Sequence, residues 1–313
     1  MNWMHWLLIA LAAVFAALLP LSRRAAVAYA RVALLAVVGS IVLAPFAWLV
    51  CSAIKDPDVM NKHTFLPPPA DVKRDVAQGK FELVNGKNFR KLFAAEQTAQ
   101  GPVRFWRYIL NSLFLASAQT FISLVFCSMG GYALAKYRFP GRGAILTFML
   151  ASLTIPGVVL LAPSFRIIWQ LGWMDTYFAL LVPGAVGAFG IFLFRQALMN
   201  VPNDLIEAGR IDGCGEFRIY LTLAMPLVRP MTGAFCLITF LGTWNAFLGP
   251  SIFLQTQAKL TLPVVLNQYV GTYAQQYGVF LAGTLLAIIP PAILFFALQR
   301  EFISGLTSGA VKQ

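Results

Sequence analysis

The 313-residue chain is 59% hydrophobic and only 12% charged, with a mean hydropathy of +0.72. Soluble domains average roughly 45–50% apolar and about 25% charged residues, so the composition excludes an ordinary cytosolic enzyme, a disordered chain and a disulfide scaffold. Seven stretches lack Asp, Glu, Lys and Arg, and each can hold the roughly 20 residues of a membrane-crossing helix: 1–22, 32–54, 108–135, 143–165, 176–194, 230–258 and 260–299. The sequence therefore predicts an all-α, polytopic membrane protein with about seven transmembrane helices.

The first apolar run predicts a membrane span, with a cleaved secretion signal as the alternative. A signal peptide carries basic residues before its apolar core and small residues at its cleavage site. Here no Lys or Arg precedes the run, and Pro20-Leu21-Ser22 is a poor cleavage context. We expect residues 1–31 to form an extra N-terminal transmembrane helix and a basic cytoplasmic turn, followed by a transmembrane helix over 32–54.

The basic residues predict how the chain is oriented. If the N-terminus lies outside, the short cytoplasmic segments carry twelve Lys or Arg residues, whereas the opposite short loops carry only Arg166 and Lys259. This asymmetry is the one that the positive-inside rule expects, and long loops cross largely regardless of charge. We therefore expect an outside N-terminus, a cytoplasmic C-terminus and an extracytoplasmic loop over 55–107. That loop forms either a small cap or a solvated connector.

Proline and glycine residues predict breaks inside the later spans. The run 260–299 is too long for one helix, and Leu262-Pro263 with Gly278 predicts an outer loop before a last span over 278–298. Backbone breaks are tolerated in lipid only where they face protein or water, so a bundle around a cavity is expected, with a simple kinked bundle as the alternative. The predicted breaks are at Pro156-Gly157, Pro163, Pro183-Gly184, Pro250 and Pro290-Pro291.

The segment 199–230 predicts two short helices set at an angle. Pro202 suits the start of the first helix. Gly213 and Gly215 permit a sharp turn before a second helix from about 216 to 223. The first helix carries a short apolar face with small residues, which another surface can approach closely: Leu205, Ile206, Ala208 and Gly209. The segment is therefore predicted to form a compact protrusion.

Residues 207–226 also follow a spaced pattern. Glu207-Ala208-Gly209 is followed by Gly213, then after nine residues by Leu223, and then by Met225-Pro226. This pattern resembles the coupling loop of the membrane subunits of binding-protein-dependent ABC importers. That family usually has Ala at the position of Gly209 and Leu at the position of Met225. Other stretches over 32–313 resemble the smaller, maltose-permease-like subunit of carbohydrate importers: Asn111-Ser112, Tyr132 to Gly141, Ile211-Asp212-Gly213, Trp244-Asn245 and Gly305 to Lys312. Ala246 stands where that family usually has an acid.

The resemblance implies a type I ABC importer permease fold with a core of six helices. Residues 108–313 form the permease core, and the N-terminal helix is an addition to the six. It further implies that residues 199–230 form a cytoplasmic loop, hereafter the coupling loop, whose residues 207–213 sit in a groove of a separate ATPase. Glu207 would meet a basic residue of that ATPase, and Gly213 would set the angle of the protrusion. The implied coupling residues are Glu207, Ala208, Gly209, Asp212, Gly213, Glu216 and Pro226. The alternative is an amphipathic loop lying on the lipid surface.

Energy for transport is expected to come from a partner. The chain has no GxxxxGK[ST] phosphate-binding loop, so ATP and Mg²⁺ are expected on an ATPase subunit and no cofactor on this chain. The resemblance implies three kinds of partner in a bacterial-type inner membrane: a second permease subunit, an ATPase dimer and an extracytoplasmic solute-binding protein. The implied cargo is a sugar, an oligosaccharide or a polyol.

The C-terminal segment 299–313 is rich in small residues and is predicted to be a cytoplasmic tail. In related permeases such a tail reaches into the ATPase dimer, and a frayed terminus is the alternative. The resemblance implies the ATPase contacts Ser304, Gly305, Thr307, Gly309 and Lys312.

A substrate path is predicted at Trp244, Asn245 and Phe247, because aromatic rings stack on sugars and amides bond their hydroxyls. Core packing of Trp244 and an interhelical hydrogen bond from Asn245 are the alternatives. Gln119 and Thr120 are interpreted as interhelical contacts. The cysteines and histidines show no spacing typical of a metal site, and no catalytic residue is predicted.

Two other functional classes fit the sequence less well. An ion-driven secondary transporter usually needs ionisable residues within its spans, and the charge-free runs argue against it. A membrane-embedded enzyme would need a cluster of Asp, Glu or His at a membrane face, and the loops show none with catalytic spacing. The secondary transporter is the stronger of the two alternatives.

Overall fold

The computed structural model describes residues 23–310, apart from residues 61, 80–82, 100 and 272–275. The chain divides into two units, residues 1–89 and 90–313. The predicted first span, residues 1–22, lies outside the described part of the chain.

The first unit contains one long apolar helix, α1 (Arg23–Ala53), followed by α2 (Pro57–Met60), α3 (Pro69–Ala77) and the start of α4 (Lys87–Phe93). Residues 27–53 of α1 are long and apolar enough to cross a membrane. The prediction of a basic turn up to residue 31 was wrong where the structure can test it, because α1 already begins at Arg23. Arginine and the surrounding alanines are good helix formers, so basic residues interrupt the apolar run without ending the helix.

One buried lysine organises the chain that follows α1. The Lys55 ammonium is buried and donates to the carbonyl oxygens of His63 (2.7 Å) and Phe65 (2.9 Å). The Asn88 amide nitrogen donates to the carbonyl oxygens of Ala53 (2.9 Å) and Lys55 (2.8 Å). These bonds give the start of the 55–107 loop a defined local structure.

A short antiparallel hairpin opens the second unit, with β1 (Glu96–Thr98) paired to β2 (Gly101–Val103). The long helix α5 (Phe105–Lys136) follows. Next come α6 (Arg142–Ser152), α7 (Leu161–Gln170), α8 (Phe178–Leu181), α9 (Ala188–Met199), α10 (Asn203–Ile211), α11 (Glu216–Ile219), α12 (Met225–Leu227), α13 (Arg229–Trp244), α14 (Leu248–Phe253), α15 (Leu262–Gln268) and α16 (Tyr277–Ala310). Short 3₁₀ turns occupy Gly157–Leu160 and Gln257–Lys259, and one π-helical turn occupies Tyr220–Ala224.

The described helices provide three to five candidate spans. Three single helices are long and apolar enough to cross a membrane: residues 27–53, 105–136 and 277–301. Two further pairs of helices are long enough to span only if each bent pair counts as one span. The first pair, 142–152 and 157–170, bends by 95°, and the second pair, 216–227 and 229–244, bends by 85°. The first bend contains Pro156-Gly157, where a break was predicted. The run 176–194 contains the short helix α8 and part of α9, because Pro183-Gly184 interrupts it.

The last apolar run divides into a short helix, α15, where a loop was predicted, and a long span that begins at Tyr277, close to the predicted start at 278. The predicted break at Pro290-Pro291 was wrong, because both prolines lie inside the continuous helix α16. Transmembrane helices tolerate proline where neighbouring helices and local adjustments satisfy the freed carbonyls.

Helix α5 is the centre of the second unit and packs against both α9 and α13, while α13 packs against α16. Glycine allows α5 and α9 to come close together. A Cβ at Gly131 would lie 2.5 Å from the Cβ of Phe194 and 2.8 Å from the backbone nitrogen of Arg195. Phe194 is itself fully buried. The two helices therefore touch backbone to backbone at this point.

We expect Gly131→Ala to destabilise the protein by about 1–3 kcal/mol, because α5 and α9 must separate to admit the methyl group. The matched control is Gly130→Ala, whose methyl group would meet only the Ile191 side chain, at 3.3 Å. Both changes gain the same helix propensity, so their difference isolates the steric clash. Thermal unfolding of the two detergent-purified variants checks this, and equal midpoints would contradict it.

At the opposite end of α5 from the coupling loop, Asp175 joins two loops. Its backbone φ is +57°, and its carboxylate accepts hydrogen bonds from the backbone nitrogens of Gln255 and Thr256 and from Lys259 Nζ at 2.8 Å. Burial alone would raise the pKa of Asp175, but the bonds from Lys259 and Thr256 dominate and lower the pKa well below its usual value. The segment before α8 is thus tied to the segment before α15.

Candidate functional site

The coupling loop has the two-helix form that its sequence predicts. Helix α10 begins directly after Pro202 and ends at Ile211, and α11 begins at Glu216. Between them Gly213 has φ +76°, a conformation that other residues rarely adopt. Gly215 has φ −67° and needs no glycine. The sharp turn therefore depends on Gly213 alone of the two glycines.

Beyond α11 the helical backbone continues further than the sequence predicts. The helical path passes through the π turn and α12 to Leu227, and then bends by 85° into α13. Pro226 lies in the first turn of α12, and Pro230 lies in the first turn of α13. Pro230 occupies a position where a helix start needs no backbone donor, whereas Pro226 follows the π turn within the same helical path.

The inner face of the coupling loop packs within the loop and against α5 and α9. Ile206 and Ile219 are buried, and Gly209 lies between them and the following turn. A Cβ at Gly209 would lie 2.9 Å from Leu223 Cδ1 and 3.2 Å from Ile219 Cγ1. The close approach that this small residue permits is therefore with the second helix of the same loop.

The outer face of the coupling loop is exposed. Glu207, Ala208, Asp212 and Gly213 all lie on it. Large apolar side chains are exposed around them, with Ile211 86% exposed, and the others are Leu205, Phe217, Leu221 and Leu227. A clustered exposed apolar surface on a protrusion is typical of a protein-binding site.

Glu216 is engaged inside the chain. Its carboxylate lies 2.6 Å from Arg210 Nε and accepts a 2.6 Å hydrogen bond from the Tyr137 hydroxyl. The bond from Arg210, followed by that from Tyr137, lowers the pKa of Glu216. Burial and the bond to Glu216 raise the pKa of Tyr137 to about 12. Glu216 is thus ionised and Tyr137 protonated at neutral pH.

The predicted tail residues lie mainly on the last helix. The backbone is helical to Ala310, so Ser304, Gly305, Thr307 and Gly309 belong to the last turns of α16, while Lys312 lies outside the described residues. Just before these turns, Glu301 pairs with Arg229 at 3.0 Å. Gly233 permits the contact, because a Cβ there would lie 2.6 Å from the Cβ of Glu301.

The residues predicted for a substrate path line a cavity of about 720 Å³ between α13, α15 and α16. Trp244 is only 3% exposed, stacks on Phe240 and donates from Nε1 to the carbonyl oxygen of Ala287 at 3.2 Å. Asn245 caps α13 and donates to the carbonyl oxygen of Leu241. Trp244 therefore packs one helix against another, and the cavity walls are mostly apolar.

A second, more polar cleft of about 320 Å³ was missed by the sequence reasoning. It lies between α5, α8, α13 and α14, and its hydroxyl and amide groups come from Ser112, Gln119, Ser123, Thr239, Thr243 and Thr261. The sequence feature that could have indicated this cleft is a pair of hydroxyl residues four positions apart on α13, Thr239 and Thr243. Such residues also occur as interhelical contacts, so the pair alone does not identify a cleft. We call it the polar cleft.

Two features distinguish the polar cleft. Gln119 and Ser123 both donate to the carbonyl oxygen of Gly184, so they satisfy the backbone where Pro183-Gly184 breaks the helix. Gln119 is thus the interhelical contact that its sequence position predicts. The Thr261 hydroxyl is buried and has no hydrogen-bond partner among the described residues. This hydroxyl lies behind the surface of the cleft, whereas Thr239 and Thr243 are partly exposed.

Comparison with known proteins identifies the family and the fold. Residues 127–306 match the family described as "Binding-protein-dependent transport system inner membrane component". The chain is 38% identical over 208 residues to the arabinooligosaccharides transport system permease protein AraQ of Halalkalibacterium halodurans, covering 66% of this chain and 75% of the relative. It is 34% identical over 211 residues to the lactose transport system permease protein LacG of Rhizobium radiobacter, covering 67% and 76%.

A solved structure shares the fold. It is the crystal structure of a bacterial ABC transporter involved in the import of the acidic polysaccharide alginate, with a TM-score of 0.73 and 21% sequence identity. The match covers 90% of this chain and 98% of that chain. The type I permease fold predicted from the resemblance is therefore confirmed, and a secondary transporter is not favoured. Because the family match covers more than half of its length, the chain belongs to the inner membrane components of binding-protein-dependent transport systems, as a membrane-spanning permease subunit of an ABC importer.

Proposed function

We propose that the chain forms half of a translocation path and is driven by a partner ATPase that binds the coupling loop. The observation that carries this proposal is the outer face of the loop, where Glu207 stands exposed among apolar side chains. The partner ATPase supplies ATP and Mg²⁺ binding and hydrolysis, and this chain binds neither. Glu207, Ala208, Asp212 and Gly213 face the ATPase, while Gly209, Glu216 and Pro226 shape the loop that presents them.

The assembly that we propose contains a second permease subunit, an ATPase dimer and an extracytoplasmic solute-binding protein. The family description supports this composition, because it names transport that depends on a binding protein. The coupling loop and the C-terminus face the cytoplasm and the N-terminus lies outside, as the positive-inside rule favours. The last turns of α16 and the residues after them, from Ser304 to Lys312, reach the ATPase.

The proposed cargo is a sugar, an oligosaccharide or a polyol. The relatives are named for arabinooligosaccharides and for lactose. The polar cleft suits such a cargo, because it presents hydroxyl and amide groups without a charged side chain. We place the solute path along this cleft, with Asn245 and Phe247 bordering the neighbouring apolar cavity.

Co-purification and uptake test this function. The chain, expressed with its neighbouring transport genes, is expected to elute with an ATPase and to import labelled arabinotriose, lactose or maltotriose only when ATP is inside the proteoliposomes. Elution without an ATPase, or uptake driven by a proton gradient, would contradict the importer function.

Replacing Thr243 with valine tests the polar cleft. Thr243 lines the cleft and is partly exposed, so Thr243→Val should keep the fold while raising the uptake KM by about three- to tenfold through one lost hydrogen bond to the solute. The control is Thr284→Val, because Thr284 lines the apolar cavity and its hydroxyl is already bonded to the carbonyl oxygen of Phe280. A larger KM change in the control would place the solute in the apolar cavity instead.

A further inference from the structure

The coupling loop contacts a second stretch of the sequence, the residues from Tyr132 to Gly141 at the end of α5 nearest the loop. We call this stretch the α5 end segment. Several of its side chains contact the coupling loop, although more than 60 residues separate the two in sequence. Nothing in the loop pattern itself requires these contacts.

Lys136 makes the first polar contact. Its ammonium donates to the carbonyl oxygen of Val201 and, at 2.9 Å, to Asn203 Oδ1. Both acceptors lie where α10 begins. The ammonium thus holds the first helix of the coupling loop at its N-terminal end.

Tyr137 makes the second polar contact. Its hydroxyl donates to Glu216 Oε2 at 2.6 Å, and Glu216 is held in turn by Arg210. The carbonyl oxygen of Tyr137 accepts from Arg142 at 3.1 Å, which fixes the residue from its other side. The hydroxyl therefore reaches the start of α11, and through Arg210 it reaches the last turn of α10.

Between these two contacts the surfaces are packed. The rings of Tyr132 and Tyr220 lie 5.4 Å apart, and the Tyr220 hydroxyl is 2.7 Å from Ser128 Oγ. Tyr132 also packs edge-on against Tyr137, at 5.9 Å between ring centroids. The coupling loop thus meets α5 at two polar points with an aromatic layer between them.

We propose that Lys136 and Tyr137 are positioning residues that clamp the coupling loop to α5, so that the loop and this central helix move as one rigid body. The inference rests on the proposed function and adds to it. Movement of the loop then reaches the core directly through α5, which packs on both α9 and α13. Without the two polar contacts, only the aromatic layer would hold the loop to α5.

The test uses the assembled transporter in proteoliposomes and compares Tyr137→Phe and Lys136→Met with the unaltered chain. We expect the ATPase to co-purify at the normal level and ATP hydrolysis to persist, while sugar imported per ATP hydrolysed falls at least about threefold. Tyr177→Phe is the control, because it removes a hydroxyl bonded to the carbonyl oxygen of Lys259 near the other end of α5. Lys136→Arg should retain most of the coupling, since a guanidinium can still donate to both acceptors.

A distance measurement tests the rigid body without reference to cargo. Genetically encoded spin labels at Arg138 and Thr222, both exposed, report the separation of the two parts. We expect the same narrow distance with and without ATP and vanadate in the unaltered transporter, and a broadened distance in the double variant of Tyr137 and Lys136. Unchanged coupling and unchanged distances in the variants would overturn the clamp. Failure of any ATPase to co-purify with the unaltered chain would instead overturn the proposed function.

Discussion

Replacing Gly213 with valine is expected to reduce ATP-driven uptake at least about tenfold, because a β-branched residue at φ +76° is strained by about 1–3 kcal/mol. The strain is relieved only if the turn between α10 and α11 changes shape. The outer face of the loop would then no longer fit a groove made for it. Uptake and ATP hydrolysis of the reconstituted transporter, measured side by side, check this result.

Gly215→Val is the matched control for that experiment. A Cβ would have open space within 4 Å at both glycines, but Gly215 has φ −67°, which valine adopts without strain. The control should therefore keep nearly normal uptake. Equal losses in the two variants would show that side-chain bulk matters, and the backbone explanation would then be wrong.

Reversing the charge of Glu207 is expected to release the ATPase. The side chain is exposed and, among the described residues, no hydrogen bond or ion pair holds it within the chain. Glu207→Lys should therefore leave the fold intact. A lysine opposite a basic residue of the ATPase costs several kcal/mol, so co-purified ATPase should fall at least about tenfold.

Glu207→Gln serves as the control, because it removes the charge without introducing repulsion. Its loss of ATPase should be smaller than that of Glu207→Lys and should depend less on salt. Thermal unfolding of both variants confirms that folding is unchanged. Normal co-purification of the ATPase with Glu207→Lys would show that Glu207 does not lie in the interface.

The coupling loop could be predicted closely because its signals are local. Pro202 starts a helix, Gly213 supplies a backbone conformation that is strained for other residues, and the spacing up to Pro226 identifies the family pattern. Each signal acts within one or two helical turns. The helix limits at Asn203, Ile211 and Glu216 follow from them.

The role of Glu216 could not be predicted in the same way. It was assigned with the ATPase-facing residues because it lies in the same short pattern. Its partner Tyr137 is 79 residues away, and only the packing of α5 beneath the loop brings them together. The polar cleft has the same origin, since Gln119 meets Gly184 across 65 residues.

The bends within the apolar runs could be predicted only in part, for a physical reason. A charge-free run indicates only that a segment can lie in lipid or in a protein interior. It does not indicate where the helix bends. Pro156-Gly157 marks a break that the sequence predicts, whereas Pro290-Pro291 lies in an unbroken helix. The outcome depends on which neighbours can satisfy the freed backbone groups.

By itself, the sequence determined the membrane class, the coupling loop and the family, because hydropathy, backbone preference and motif spacing are properties of neighbouring residues. Only the tertiary structure decided which polar groups meet: Glu216 with Tyr137, Trp244 with α16, and Gln119 with the broken helix at Gly184. Hydrogen bonds need atoms within about 3 Å, and in a bundle that proximity is set by helix packing rather than by order along the chain.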